Sequence, residues 1–310
     1  MDDRIVVGYD TSPESVSAVR WAAGHAAYRG WTLEVVHVWG FAGREGGGAG
    51  DSWLGREVQE QVHRVAAEGA AIAVEAAPGV DARPVVLHGP PARVLVERAQ
   101  GARSVVVGRR GAGLVNALVG SSATGVLHRA RCPVVVVPAG APVPAAARGP
   151  VVVGFDGSAG SSCALEAAFD QARVLGTDLC VVTAWTAAVE TSSAPYWALG
   201  YPSQAPGDVA LQEAERVLDT ARAWAATRRD VEVSFDAAPG RPSQVLVRRS
   251  RHASLVVVGT RGRGGFASLV LGSTSRAVVQ RASSPVLVTR SGQTVLDQPP
   301  HRREPAAAGV

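Results

Sequence analysis

Residues 104–108 read Ser-Val-Val-Val-Gly, and 151 positions after Val105 the run returns as Val256-Val257-Val258-Gly259. A short β-branched run that stops on glycine has the length of a strand, and its lack of alternation means burial on both faces. Such a strand belongs in a parallel sheet covered by helices. The recurrence extends outward in both directions. Val6-Val7-Gly8-Tyr9-Asp10 returns as Val152-Val153-Gly154-Phe155-Asp156, and Val35-Val36-His37-Val38-Trp39 as Val181-Val182-Thr183-Ala184-Trp185, both at an offset of 146. Gly120-Ser121 and Gly272-Ser273 differ by 152, as do Pro133 and Pro285. Conserved order with two small slips is the mark of a tandem duplication.

The repeat divides the chain into domain 1 at 1–140, a linker at 141–149 and domain 2 at 150–292. The linker follows from the Ala- and Pro-rich composition of 139–149, which favours an extended spacer. A tail at 293–310, with Pro299-Pro300 and no apolar period, is expected to stay unpacked. Residues 40–51 and 188–207 read as loops.

Strands are expected at 4–8, 32–38, 83–88, 104–108 and 134–138, bounded by Gly or Pro. Helical patterns lie between them; Ala214, Val217, Leu218, Ala221, Trp224 and Ala225 share one face of one helix. Five strands alternating with four helices per repeat predict two tandem α/β domains. Each is a doubly wound, five-stranded parallel sheet with helices on both faces.

Composition narrows the function. Of 310 residues, 46% are apolar and 19% charged, which is globular. No apolar run approaches the roughly 18 residues of a membrane span. The acidic start, Met1-Asp2-Asp3-Arg4, leads into a strand, so no signal peptide is expected. Three cysteines without metal spacing fit a reducing cytoplasm. The net charge of +4 comes from scattered Arg and no Lys, without the basic stripe and aromatics of a nucleic-acid surface. The histidines show no metal spacing, and Cys132 reads as a buried thiol.

In an open parallel sheet, ligands sit beyond the carboxyl ends of the strands at the switch in strand order. Three features fall there, twice over. The first is the acid after the first strand, Asp10 and Asp156. Capping of the next helix and contact with a ribose, base or metal both remain open for it. The second is the glycine loop after the fourth strand, Gly259-Thr260-Arg261-Gly262-Arg263-Gly264-Gly265, closing on Gly272-Ser273-Thr274. Glycines let backbone approach an anion, and a helix N-terminus favours phosphate. The Gly-Lys-Ser/Thr end of a Walker loop is absent. The third is the end of strand two, Val38 and Ala184, where core packing competes with backbone contacts to a base.

The chain resembles the universal stress proteins, in the form that carries two such domains in tandem. The resemblance rests on Val-Val-Gly-x-Asp, on Gly89-x-Pro91 and Gly240-x-Pro242, on Val-Val-Val-Gly, and on the family's ATP pattern. That pattern is Gly, two residues, Gly, nine residues, Gly, Ser or Thr, met by Gly259, Gly262, Gly272 and Ser273. The resemblance implies an adenine nucleotide α-hydrolase-like fold that binds ATP with a divalent cation such as Mg²⁺. It implies Asp156, Ala184, Gly259, Gly262, Gly272, Ser273 and Thr274 as ligand contacts in domain 2. Their counterparts in domain 1 are Asp10, Val38, Gly108, Gly111, Gly120, Ser121 and Ser122.

Domain 1 departs from the pattern, with eight residues between Gly111 and Gly120. One residue spans up to about 3.5 Å, so the stronger site is expected in domain 2. The implied function is a cytoplasmic, ATP-dependent stress regulator or sensor. A slow ATPase, with Arg261 or Arg263 near the phosphates and Arg110 recurring at the place of Arg261, and a nucleotide-free interaction module are the alternatives. Family members pair through their last strands, so Val134–Val137 is expected against Val286–Val288 within the chain, with a homodimer through other surface as a further expectation.

Overall fold

The computed structural model describes residues 2–40, 53–110, 119–144, 148–187, 206–262 and 271–290. The first repeat runs β1 (Asp2–Gly8), α1 (Pro13–Arg29), β2 (Thr32–Trp39), α2 (Trp53–Ala76), β3 (Ala82–His88), α3 (Pro91–Arg98), β4 (Ala102–Gly108), α4 (Ser121–Arg129) and β5 (Val134–Val137). The second runs β6 (Val151–Gly154), α5 (Ala159–Leu175), β7 (Leu179–Trp185), α6 (Pro206–Ala225), β8 (Val233–Pro239), α7 (Pro242–Arg249), β9 (Leu255–Gly259), α8 (Ser273–Arg281) and β10 (Val286–Thr289).

The strands form one ten-stranded sheet in the order β3-β2-β1-β4-β5-β10-β9-β6-β7-β8. Each half has the order 3-2-1-4-5, which reverses beside β1 and beside β6. Every pairing is parallel except β5 with β10, where Val136 faces Val286 and Val134 faces Val288. The expected pairing of the last strands within the chain is therefore present, and two five-stranded sheets become one.

Side chains alternate across the strands, as a period of two requires. Ile5, Val7, Leu33, Leu179 and Leu255 join one buried layer with α1, α2, α5 and α6. Val6, Val36, Val105, Val256 and Val288 join the other with α3, α4, α7 and α8. Val, Leu and Ala dominate both layers.

Three strands begin earlier than expected, β3 by one residue at Ala82 and β1 and β4 by two each. β1 starts at Asp2, whose N–H meets the Gly101 carbonyl at 2.8 Å, and Arg103 of β4 is paired with Asp3 at 2.8 Å. Charged residues hid these strand ends, because their pairing runs between strands 100 residues apart. β5 ends at Val137 rather than 138, since Pro138 has no N–H for a ladder. Of the expected loops at 40–51 and 188–207, residues 41–51 and 188–205 lie outside the described residues, as do residues 145–147 of the linker and the tail at 293–310; 206–207 are not loop, since α6 begins at Pro206.

Two arginines cross the seam reciprocally. Arg109, after β4, donates to the Ala282 carbonyl at the end of α8 at 2.9 Å. Arg290, after β10, donates to the Leu127 carbonyl in the last turns of α4. Cations suit the exposed carbonyls and negative dipole end of a helix C-terminus. On the opposite face, Arg29 of α1 forms a buried ion pair with Asp170 of α5, which Arg173 also contacts at 2.9 Å.

Candidate functional site

The turn after β6 shows why Asp156 stands where it does. The N-cap of α5 is Ser158, whose hydroxyl oxygen accepts from Ser161 N–H at 3.2 Å. Asp156 is not the cap. Its Oδ1 accepts the Ser158 N–H at 3.0 Å and the Ser158 hydroxyl at 2.6 Å, holding the cap in place. Asp10 does the same for Ser12, at 3.2 and 2.5 Å. The capping reading of these acids is thus corrected, because a serine two positions on has the shorter reach to the helix N–H groups. Gly157 takes a left-handed φ of 76°, and its counterpart Thr11 takes 65°. A β-branched residue rarely adopts that conformation, so repeat one carries strain at this turn.

The glycine loop is anchored at both ends. Thr260 N–H donates to the Thr289 carbonyl at 2.8 Å, and Gly272 N–H returns to the Thr260 carbonyl at 2.7 Å. In repeat one, Arg109 N–H meets Val137 at 2.8 Å and Gly120 N–H meets Arg109 at 2.8 Å. The anchors match although the first loop is one residue shorter. The flanks of the two loops are thus held alike. Gly111 itself lies outside the described residues.

The helices that open after these loops differ from α1 and α5. The N-caps of α4 and α8 are Gly120 and Gly272, and neither helix has a side-chain cap. Their first-turn N–H groups and positive dipole ends face the sheet's carboxyl edge without a capping oxygen.

A cavity of about 490 Å³ lies there in repeat two. It is lined by all seven residues named from the sequence in that repeat: Asp156, Ala184, Gly259, Gly262, Gly272, Ser273 and Thr274. Val182, Leu246, Val258 and Phe155 add apolar walls, and Arg261 adds a cation. β7 runs past β6, since their register ends at Gly154 opposite Val182, two residues before Ala184. The second cavity, about 410 Å³ in repeat one, gathers Asp10, Val38, Gly108, Gly120, Ser121 and Ser122 with Arg110 and Leu95. It too lies where β2 outruns β1, whose register ends at Gly8 opposite Val36.

Small residues bring these walls together. A Cβ on Gly154 would lie 2.8 Å from Leu246 Cδ1, and one on Gly262 would lie 2.2 Å from Asp156 Oδ2. Gly259 packs equally close to backbone, 2.6 Å from the Gly160 carbonyl oxygen. His37 donates Nδ1–H to the Tyr9 carbonyl at 2.9 Å, so it packs as a strand residue; Thr183 replaces it in repeat two and donates to Phe155 at 2.8 Å.

The sequence profile of the universal stress protein family matches residues 1–138 and again 148–290. The chain belongs to the universal stress protein family. A universal stress protein of Mycobacterium tuberculosis is 36% identical over 296 residues, covering 92% of this chain and 96% of that protein. One from Mycolicibacterium smegmatis is 35% identical over 298 residues, with the same coverage. The crystal structure of a universal stress protein from Archaeoglobus fulgidus covers 94% of this chain and 97% of its own, at 22% identity and a TM-score of 0.64. That likeness carries the fold of the family in its two-domain form.

Sequence reading missed part of this universal stress protein's site. Leu95 and Leu246, which wall the two cavities, sit in the third helix of each repeat at the common offset of 151, a signal that was available. In the sequence Glu14 shows only as an acid two residues after a capping serine. It is 7% exposed, and Arg110 donates Nε–H to it at 2.8 Å. Among the described residues no helix is long and apolar enough to cross a membrane.

Proposed function

We propose that this chain binds an adenine nucleotide, ATP with Mg²⁺, and acts as a nucleotide-dependent stress regulator, with the stronger site in repeat two. The observation that carries this reading is Gly272. Its φ of −68° is ordinary, and a Cβ there would meet nothing closer than 3.5 Å. The fold therefore does not demand glycine at that position. A ligand does, if a phosphate approaches the uncapped start of α8.

The rest of the cavity fits the same ligand. Apolar walls at Val182 and Leu246 suit a base, and the end of β7 at Ala184 offers backbone groups to its edge. Ser273 and Thr274 supply hydroxyls at the helix start. Among the described residues no three His, Cys, Asp or Glu side chains form a metal cage. Magnesium is usually held by one or two carboxylates together with substrate phosphates. Asp156 is the carboxylate at this cavity, so the residues fit a cation that arrives on the nucleotide.

Binding energy here favours a regulator. Residues on both sides of the seam contact the helices that open at the cavities, through Arg109 and Arg290. A ligand that prefers one arrangement of α8 would shift the population presented to a partner.

The test counts nucleotide. Protein purified without added ATP is denatured, and the released nucleotide is identified and quantified; then apo protein is titrated with ATP and Mg²⁺ by calorimetry. Gly272→Val should lower ATP affinity at least about tenfold, which is ~1.4 kcal/mol, with an unchanged circular dichroism spectrum. Unchanged ATP binding in that folded variant would remove repeat two as the site. No binding at all in the wild type would leave the interaction module standing.

A further inference from the structure

We propose that the two cavities take different charge states of the adenine ligand, and that Glu14 makes the difference. The first cavity favours uncharged adenosine, and the second accepts the triphosphate. This rests on the nucleotide reading above.

Glu14 is the second residue of α1, where an acid ordinarily just stabilises the helix start. Here it does more than that. Its side chain is only 9% exposed, and it backs onto the end of β4: a Cβ on Gly108 would lie 2.9 Å from Glu14 Cβ. Its Oε1 accepts from Nε of Arg110, a residue 96 positions away that lines the first cavity. The arginine that would meet a phosphate is already engaged by a buried carboxylate. Drawing it onto a phosphate would leave that carboxylate unpaired in a low-dielectric place, which is strongly unfavourable.

Repeat two lacks this acid. At the offset of 146 shared by the serine caps, Glu14 corresponds to Gly160, which has no side chain. The backbone relation is kept, since a Cβ on Gly259 would meet the Gly160 carbonyl oxygen at 2.6 Å. Arg261 lines the second cavity as Arg110 lines the first. Among the described residues, the two cavities thus share an aspartate, an arginine, a glycine anchor and an uncapped helix, and differ at one position beside the end of the fourth strand, where Glu14 stands against Gly160.

That charge acts on phosphates and spares the nucleoside. A carboxylate several ångströms from a polyphosphate repels it in proportion to the phosphate charge, by about tenfold or more in affinity at the effective dielectric of such sites. The base and ribose, held at the strand-two end, carry no charge to repel.

The experiment uses the full chain with the second cavity closed by Gly272→Val, titrated calorimetrically with adenosine, its monophosphate and ATP–Mg²⁺. The background should bind adenosine at least about tenfold more tightly than the monophosphate or ATP–Mg²⁺, which both carry phosphate charge. Adding Glu14→Gln should raise ATP affinity about tenfold and leave adenosine affinity unchanged. In the otherwise wild-type chain, the reciprocal Gly160→Glu should lower ATP affinity at the second cavity by about tenfold, with adenosine unchanged, which keeps the proposal testable if the Glu14 variant misfolds. An unchanged ratio of ATP to adenosine affinity in folded Glu14→Gln, or in Gly160→Glu, overturns the assignment to Glu14 while leaving nucleotide binding intact. A wild-type chain that binds none of the three ligands overturns the nucleotide reading itself, and this inference with it.

Discussion

Gly262 stands directly over Asp156, so that a β-carbon at 262 would come within 2.2 Å of the aspartate's Oδ2 while its Oδ1 holds Ser158. The contact joins the glycine loop of β9 to the turn after β6. It places the loop's second glycine and the strand-one acid on one wall of the cavity. Neither residue type is dispensable there, and the first prediction follows from that.

Gly262→Ala should move the Asp156 carboxylate, because a methyl group and a carboxylate oxygen cannot share that space. The cap at Ser158 is an N-terminal device worth about 1 kcal/mol, so the loss of global stability should be no larger. Nucleotide affinity should fall at least about tenfold. Calorimetric titration together with thermal melting checks this. Wild-type affinity in a variant of unchanged melting temperature would show that the contact is incidental.

His25 makes the fold sensitive to acid. It is buried in α1, stacked on Trp21 at 5.2 Å with Trp31 edge-on at 6.1 Å, and Nδ1 has no hydrogen-bond partner among the described residues. Burial, with the charge of Arg29 nearby, lowers its pKa from 6.5 to about 3. The unfolded chain therefore takes up a proton near pH 6.5 that the folded chain refuses until near 3. The unfolded state holds more protons between these values, so stability falls as pH falls through that window. The loss is on the order of 4 kcal/mol by pH 3. His25→Gln, the residue found at the corresponding position 171, should flatten the decline. Denaturant unfolding at several pH values from 8 to 4 measures it, and parallel curves for the two proteins would contradict the assignment.

The Arg29–Asp170 pair ties α1 to α5 across the repeats. Both side chains are below 10% exposed. Asp170→Ala should cost about 3–5 kcal/mol, since it strands a buried guanidinium. Replacing both, as Arg29→Met with Asp170→Leu, should cost less than the single change, because no buried charge is left unpaired; Arg173, which also loses Asp170, is about a third exposed to water. Equilibrium unfolding of the three variants decides the point. A double variant as unstable as the sum of its parts would mean that the two charges are not coupled.

Much of this architecture was legible because its determinants are local. Val105–Gly108 and Val256–Gly259 declare buried strands by composition, and the glycine spacing 259, 262, 272 survives as an unbroken pattern in the linear sequence. The residues that escaped reading act over distance. Glu14 meets Arg110 and Arg29 meets Asp170 only after the sheet is assembled, and no spacing rule links positions 96 or 141 apart. The shorter first loop was legible as a count, and the closure of its ends was not. Its anchors at Arg109 and Gly120 keep the same 2.8 Å closure as the longer loop keeps at 2.7 Å.

The antiparallel joint of β5 with β10 has one more consequence. In a dimer of identical single-domain chains, every substitution appears on both sides of the axis, and the two sites must change together. Here the two sides of the axis are encoded separately. An acid can enter at position 14 while position 160 stays glycine, and neither choice disturbs the joint of Val134–Val137 with Val286–Val288. Duplication within one chain turns a symmetric pair into two positions that selection can edit one at a time.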